Sequence, residues 1–230
     1  MIGVIVNTVA VIIGSLIGVL CKKGIPERVS NAVMLGVGLC VIYIGVDGML
    51  GETNPLVAVV SIVVGAIIGT LIDIDKGLNS AGDKLSAKVS RGGQNNSFTQ
   101  GFVAASLLFC VGAMAIVGSV EAGLTGNNST LYTKSILDFT ASIMLSSTFG
   151  IGVMFSAIPL FIYQGLIALC AGLLDSVLSD GAIAAISCVG SIIIMGLGLN
   201  LAGATKLKIA NYIPAIILSP FVYYLFELIM

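Results

Sequence analysis

The feature that most constrains this chain is a series of apolar runs, each as long as a membrane-spanning helix. A bilayer core about 30 Å thick is crossed by a helix of about 20 apolar residues. Lipid offers the backbone no hydrogen-bond partners, so such runs fold as helices. We predict an all-α, polytopic transmembrane helix bundle that forms one integral membrane domain over residues 1–230. The eight candidate spans lie at about 2–21, 30–50, 55–74, 99–123, 134–154, 158–178, 181–203 and 209–229.

The composition agrees with a membrane environment. Of the 230 residues, 57% are hydrophobic and 9% charged, whereas a soluble domain carries about 25% charged residues. The expected surroundings are therefore a lipid bilayer. A net charge of −1 and the lack of a basic stripe predict no nucleic-acid partner. The first twenty residues have neither a basic start nor a small-residue cleavage site, which favours a retained span over a signal peptide.

The boundary between the fifth and sixth spans is the weakest. No charged residue marks a turn near residues 155–159. Seven spans, or a re-entrant hairpin at this point, are the alternatives to eight. Whether span five is continuous or broken also stays open at this stage.

Basic residues are distributed unevenly between the predicted loops. Loops one, three and seven carry most of them: Lys22, Lys23, Arg28, Lys76, Lys84, Lys88, Arg91, Lys206 and Lys208. With eight spans these loops all fall on one side of the membrane, and only Lys134 falls on the other. Because positively charged loops remain in the cytoplasm, we predict a bacterial cytoplasmic (inner) membrane protein with both termini outside.

A two-helix unit recurs weakly, at about 5–50, 55–124 and 160–203. Its first helix carries two small residues four positions apart, a pattern that lets helices approach closely in lipid. Its second helix carries a Val-Gly pair and then Ile. Span five separates the second unit from the third, and a single separating span would invert the third unit, as in many secondary transporters. Chance alignment of Gly-, Val- and Ile-rich helices is the alternative.

The small residues of these first helices have two further interpretations. They form the pairs Gly14 with Gly18, Gly65 with Gly69, and Ala168 with Gly172. The glycine faces would suit a homodimer interface, and packing within the chain explains them equally well.

Asp138 is the ionisable residue of greatest interest, because it lies within span five while most other acids lie near span ends. Insertion of such a group costs about 2.5–3.5 kcal/mol, so it marks a functional candidate. At helical spacing it shares a stripe with small and hydroxyl-bearing residues, namely Ser142, Ser146, Ser147, Thr148 and Gly150. We predict an ion- or substrate-binding path along this stripe. The alternative is that the serines and glycines form helix contacts and that Asp138 caps the outer end of the span.

Other polar residues extend this hypothesis. Gln164 and Asn200 are predicted to contribute to the same path from the third repeat. Asp47 and Glu121 occupy equivalent repeat positions and would form an acidic vestibule on the outer side; the alternative is that each simply ends its span at the interface. No basic residue is expected deep in a span, so the electrostatic potential inside the bundle should be neutral to negative and should suit a cation or a proton relay.

The sequence lacks the signatures of enzymes and cofactor sites. It has no His, no Walker A or dinucleotide motif, and five Cys without a CxxC pair. We therefore predict neither an enzyme nor a metal or cofactor site. The polar segment 75–100 is expected to be a linker with a surface helix at about 81–89.

Six short segments carry a family resemblance over essentially the whole chain. They are FCVGAMAI at 109–116, STFGIGV at 147–153, FSA at 155–157, YQG at 163–165, GLGLN at 196–200 and NYIPA at 211–215. These segments resemble the YqgA/YdfK-like family of uncharacterised bacterial membrane proteins. The resemblance implies a multi-pass inner-membrane protein and implies neither a substrate nor a mechanism.

These observations favour a secondary transporter of a small solute or cation, driven by a proton or sodium gradient, with Asp138 binding the proton or cation. A passive channel is the first alternative and would give flux that does not depend on a coupling gradient. A non-transporting membrane scaffold or assembly protein is the second, and would purify with a stoichiometric partner and give no flux.

Overall fold

The computed structural model describes residues 1–22, 27–50, 54–89, 96–110, 113–172 and 179–229. The regular structure within these ranges is helical, which confirms the predicted all-α class. The helices are α1 (Ile2–Lys22), α2 (Glu27–Met49), α3 (Pro55–Ile72), α4 (Ile74–Val89), α5 (Asn96–Cys110), α6 (Ala113–Leu124), α7 (Ser129–Phe149), α8 (Gly152–Phe155), α9 (Ala157–Leu169), α10 (Asp180–Leu201) and α11 (Ile213–Ile229), with a 3₁₀ turn at Ile209–Tyr212 before α11.

Several helices can cross a membrane, which confirms the predicted transmembrane bundle. Within the described ranges, five segments are long and apolar enough: Ile2–Cys21, Pro55–Ile72, Gly152–Leu169, Asp180–Leu201 and Ile209–Leu228. Helices α5 and α6 form a sixth if they are counted as one broken span, and their axes differ by 58°. Helices α2 and α7 are less apolar, but α2 packs along α10 and α7 packs along α1. The count of eight stays a prediction.

Helices α1 and α7 run parallel. Near the start of α1, the Gly3 amide donates a hydrogen bond of 2.9 Å to the Asn128 side chain just before α7. Near the end of α1, Gly18 faces Ser146, which lies near the end of α7. Two parallel spans must be separated by an even number of chain reversals. If α2, α3 and the pair α5–α6 are the three spans between α1 and α7, the chain reverses four times, which agrees with this rule.

Helix α2 runs antiparallel to α10, because Gly38 faces Ala202 whereas Gly45, later in α2, faces Met195, earlier in α10. Helix α3 runs antiparallel to α11 in the same way. Both relations agree with eight alternating crossings in which α5 and α6 count as one. The relation of α2 to α10 also has the sense that an inverted third repeat requires. The repeat itself stays a prediction, and the Val111-Gly112 pair of its second unit lies outside the described residues.

Small residues of α1 bring it close to α7. Gly14 faces Ser142 and Gly18 faces Ser146, and a Cβ at either glycine would meet a backbone oxygen of α7. Gly65 and Gly69 face α11 and the turn before it. The Gly14–Gly18 and Gly65–Gly69 pairs are therefore used for packing within the chain, as the second of the two interpretations predicts, whereas a Cβ at Gly172 would meet no atom within 4 Å.

The boundaries of spans five and six differ from those predicted. Helix α7 is continuous over Ser129–Phe149 and ends five residues earlier than expected, because Gly150 takes φ of 82° and its N–H bonds the Ser146 carbonyl. Only glycine adopts such a conformation without strain. Helices α8 and α9 then return as an 18-residue candidate crossing. The chain thus reverses at residues 150–151, before the stretch 155–159.

The polar segment after α3 forms a longer helix than predicted. Helix α4 covers Ile74–Val89 rather than 81–89. It packs on α5, where Gly82 faces Thr99 and the Thr99 hydroxyl donates to Asp83 at 2.7 Å. At the other end, the Asp75 amide donates to the Asn211 side chain at 2.8 Å. This segment is part of the bundle, not a free linker.

The contact between α1 and α7 can be tested by filling it. Replacement of Gly18 by Leu should lower the free energy of unfolding by about 1–3 kcal/mol, because the new side chain collides with the backbone of α7. Gly36→Leu is the matched control, since a Cβ at Gly36 has no atom within 4 Å. Denaturant titration of the purified variants in micelles measures both values. Equal effects of the two substitutions would contradict this packing.

The predicted topology can be tested with single cysteines in a background without the five native ones. Asn127→Cys, between α6 and α7, should react with an impermeant maleimide in intact bacterial cells. Lys208→Cys, between α10 and α11, should react only after the membrane is permeabilised. Both side chains are exposed. Labelling of both from the same side would refute the arrangement of crossings, and reversed labelling would refute the orientation.

Candidate functional site

Asp138 lies near the middle of the 21-residue helix α7 and is buried. At about 1.5 Å per residue, it is about 14 Å from the start of the helix. The Lys134 ammonium binds both carboxylate oxygens, at 2.9 and 2.8 Å. Only 8% of each side chain is exposed, so this ion pair lies inside the helix bundle.

Two other helices complete the surroundings of this ion pair. The Asn7 amide of α1 donates to the Asp138 carboxylate at 2.9 Å and to the Gln164 oxygen of α9 at 3.2 Å. Asn7 and Gln164 are both fully buried. We call Asn7, Lys134, Asp138 and Gln164 the Asp138 cluster. It joins α1, α7 and α9 by hydrogen bonds between residues more than 130 positions apart in the sequence.

The burial of Lys134 corrects one expectation from the sequence. Its place near the start of the predicted fifth span suggested an outer loop, and no basic residue was expected deep in a span. Helix α7 instead begins at Ser129, which places Lys134 in its second turn. Lys134 precedes Asp138 by four residues, so the two share a helix face. That spacing is the signal in the sequence that would have identified the pair.

Two atoms of the Asp138 cluster have no hydrogen-bond partner among the described residues: Asn7 Oδ1 and Gln164 Nε2. Buried polar atoms are nearly always paired in proteins. One is an acceptor and the other a donor. The Asp138 cluster can therefore accept a hydrogen bond at Asn7 and donate one at Gln164, as a water molecule or a small polar solute would require.

The hydroxyl groups of the predicted stripe bond to their own helix. Ser142 donates to the Phe139 carbonyl at 2.8 Å, and Ser146 donates to the Ser142 carbonyl at 2.6 Å. Since both serines also face glycines of α1, the structure places them in the helix contact that the alternative interpretation described. Asp138, in contrast, does not cap the helix end.

The other two hydroxyls of the stripe lie further along α7. Ser147 is partly exposed and donates to the Met144 carbonyl at 2.8 Å. Thr148 is buried and lies 3.4 Å from the same carbonyl. They lie nine and ten residues beyond Asp138 on α7, or about 14–15 Å along the helix, and their role in a path stays a prediction.

Asn200 lies in a different region, beside a cavity of about 330 Å³. Its side chain accepts hydrogen bonds from Thr205 and the Leu207 amide and donates to the Leu207 carbonyl at 2.7 Å. It thus orders the loop between α10 and the 3₁₀ turn. We call this space the α4–α10 cavity; it is lined by Asp75, Asn79, Gln100, Val103, Ala104, Leu107, Phe149, Leu197, Asn200, Leu201, Leu207 and Ile209.

Helix α5 connects the α4–α10 cavity with the Asp138 cluster. Leu107 lines the cavity. Cys110, one turn later at the end of α5, lies within electrostatic range of Lys134 and Asp138. The cavity therefore extends along α5 to about one helical turn, or about 5 Å, from Cys110.

The two residues of the predicted outer vestibule are not joined by any contact of the described residues. Asp47 is exposed near the end of α2. Glu121, near the end of α6, accepts hydrogen bonds from Asn127 at 2.6 Å and Thr130 at 2.8 Å. Glu121 thus holds the loop between α6 and α7, and the vestibule stays a prediction. The described residues also contain no cluster of three or more potential metal ligands.

Comparison with known proteins assigns the chain to a family. The model of a family described as a protein of unknown function, DUF554, matches residues 2–224. The chain belongs to the DUF554 family. A relative in Bacillus subtilis (strain 168), the uncharacterised membrane protein YdfK, is 34% identical over 226 residues, which cover 96% of this chain and 95% of YdfK. The uncharacterised protein YqgA of Escherichia coli (strain K12) is 31% identical over 221 residues, which cover 95% and 94%.

No solved structure matches this DUF554 protein. The family assignment confirms the resemblance to YqgA and YdfK, and the name of YdfK agrees with the apolar helices in identifying a membrane protein.

The buried pair can be tested with a double-mutant cycle. We expect Lys134→Met and Asp138→Asn to lower the free energy of unfolding by about 3–5 kcal/mol each, because each leaves a buried group without its partner. The double variant should lose clearly less than the sum, since no charge is left unpaired. Denaturant titration in micelles measures all four proteins.

The exposed pair between Lys208 and Asp73 provides the control for this cycle. Its atoms are 3.4 Å apart, and the side chains are 64% and 37% exposed. An exposed pair contributes about 0–1 kcal/mol, so Asp73→Asn should have little effect, and Asn tolerates the positive φ of this residue. Additive losses at Lys134 and Asp138 would show that the two side chains do not interact.

Proposed function

We propose that this DUF554 protein is a secondary transporter of a small solute or cation, coupled to a proton or sodium gradient through Asp138. The observation that carries the proposal is the buried Lys134–Asp138 ion pair, linked by Asn7 and Gln164 to two further helices. Ionisable groups inside a membrane bundle are costly and mark ion pathways and proton relays. The bacterial inner membrane, with both termini outside, is the proposed location.

The ion pair offers two states of Asp138. In one, the carboxylate is ionised and holds Lys134 at 2.8 Å. In the other, a proton or cation neutralises Asp138 and Lys134 loses its counter-charge. Because a buried charge without a partner is strongly unfavourable, the second state favours a rearrangement that gives Lys134 a new partner or water. Cation binding at Asp138 is thereby coupled to the packing of α1, α7 and α9.

The two ends of the bundle support access from one side. At the end where α7 begins, a small apolar cluster closes the space between four helices, with Val4, Ala122, Leu131 and Ala168 buried together. The bond between Gly3 and Asn128 lies at the same level. At the opposite end, the α4–α10 cavity reaches towards the pair along α5. The predicted topology places this open end in the cytoplasm.

The broken helix α5–α6 is a second feature typical of secondary transporters. Such proteins bind substrates and ions near the membrane midplane, where discontinuous helices end. Here α5 ends at Cys110, within electrostatic range of Lys134 and Asp138. The C-terminal end of a helix carries partial negative charge, so the end of α5 favours a cation in this region.

The test is solute-dependent flux into proteoliposomes under imposed proton and sodium gradients. A panel of cations, amino acids and small carboxylates should include at least one solute that is carried. We expect Asp138→Asn to reduce that flux to the level of protein-free liposomes, because Asn cannot take up a cation and release it. Asp180→Asn is the matched control, since it removes an exposed carboxylate at the start of α10 and should leave flux unchanged.

Other outcomes discriminate between the functions. Flux that ignores the gradient and persists in Asp138→Asn would identify a passive channel. Coupled flux that survives Asp138→Asn would remove Asp138 from the mechanism. If the folded, inserted protein carries nothing and purifies with a stoichiometric partner, the scaffold function is the correct one.

A further inference from the structure

The α4–α10 cavity is large enough to hold a small organic molecule. Its volume of about 330 Å³ corresponds to about ten water molecules at about 30 Å³ each, and lies at the lower end of the range for ligand pockets. One wall is apolar, formed by α5, α10 and the end of α7. The polar groups come from α4, the start of α5 and the end of α10: Asp75, Asn79, Gln100 and Asn200.

The charge in this cavity has one sign. Asp75 is the single ionisable residue among the described residues that line it. Its carboxylate accepts a hydrogen bond from Asn79 at 3.1 Å, and no ion pair of the described residues includes it. Three amides beside a carboxylate supply acceptors and neutral donors. An anion would meet repulsion here, whereas a cationic group would find its counter-charge.

From these features we infer that the α4–α10 cavity binds a small organic cation, with its ammonium group at Asp75 and its apolar body against α5 and α10. The inference rests on the proposed function in one respect, because a substrate bound here would lie about one helical turn from the end of α5, on the route along that helix towards the Asp138 cluster. Binding itself does not depend on transport. Asp75 would select the solute and Asp138 would couple its movement to the gradient.

Asn79 holds Asp75 in position at the wall of the cavity. Its side-chain nitrogen donates to the backbone carbonyl of Asp75 at 2.8 Å as well as to the carboxylate. The Asp75 amide in turn donates to Asn211. The Asp75 backbone is therefore held by Asn79 and Asn211, and its carboxylate by Asn79, before a ligand arrives, and preorganisation of this kind lowers the cost of binding.

Equilibrium dialysis of the full-length protein in micelles, against micelles alone, tests the inference with three probes of similar shape. These are 2-phenylethylammonium, the neutral 3-phenylpropanamide and the anionic 3-phenylpropanoate. We expect the cation to bind at least roughly tenfold more tightly than the other two, and Asp75→Asn to remove this preference, as the loss of one charge-assisted contact predicts. Gln100→Glu adds a second carboxylate to the cavity wall and should tighten cation binding, a gain that misfolding cannot produce.

The outcomes separate this inference from the proposed function. Equal binding of the three probes, or unchanged cation binding in both Asp75→Asn and Gln100→Glu, would overturn the cation site even if the protein transports another solute. Cation binding that requires Asp75, in a protein that gives no flux, would leave the site standing and refute transport. Asp180→Asn serves again as the control and should bind the cation as the unmodified protein does.

Discussion

The parallel packing of α1 against α7 holds the interior of this protein together, because two glycines of α1 face two serines of α7. Helices in lipid gain little from hydrophobic association and depend on close backbone approach. Ser142 and Ser146 satisfy their hydroxyls on their own helix and so allow that approach. Asn7 reaches the Asp138 carboxylate because the two backbones are this close. Without the contact, the carboxylate would keep Lys134 and lose its link to α1.

The buried ion pair of Lys134 and Asp138 stabilises the fold no better than apolar residues of similar size would be expected to do. Replacement of a buried pair by apolar residues is often neutral or stabilising, and the surrounding helices are already rich in Leu, Ile and Val. Two polar atoms beside the pair, on Asn7 and Gln164, also lack partners among the described residues. The proposed cation site would account for both features, since such a site must contain charge and hydrogen-bonding capacity that packing alone does not require.

The two ends of the bundle differ in how closely the helices pack around this site. Apolar side chains of α1, α6, α7 and α9 close the space at one end. At the other end the α4–α10 cavity opens, with Asp75 on its polar side and Leu107 leading along α5 towards the pair. The alternating-access scheme of secondary transporters requires a state open to one side. The same helices would have to repack for the opposite state, and α5–α6, already broken at 58°, is the element best suited to move.

The sequence by itself determined the class of the protein, the approximate positions of its helices and the presence of a charged residue, Asp138, within an apolar run. Those conclusions follow from local properties, namely the length of apolar runs and the cost of a charge within one. The i, i+4 relation of Lys134 to Asp138 was also local and was available from the sequence. The end of α7 at Gly150 was harder to locate, since a glycine in an apolar run is compatible with helix or turn.

Only the tertiary structure decided which side chains act together. Asn7 and Gln164 join Asp138 from helices 131 residues before it and 26 residues after it along the chain, and no local pattern encodes such a meeting. The tertiary structure also showed that residues of one predicted stripe have different surroundings. Ser142 and Ser146 pack against α1, whereas Asp138 bonds Lys134 and Asn7, because one helix face touches different neighbours along its length. The α4–α10 cavity has the same origin, since its walls come from four helices and a loop. In a membrane bundle, helix formation is dictated locally by the solvent, whereas the polar interior depends on which faces the packing brings together.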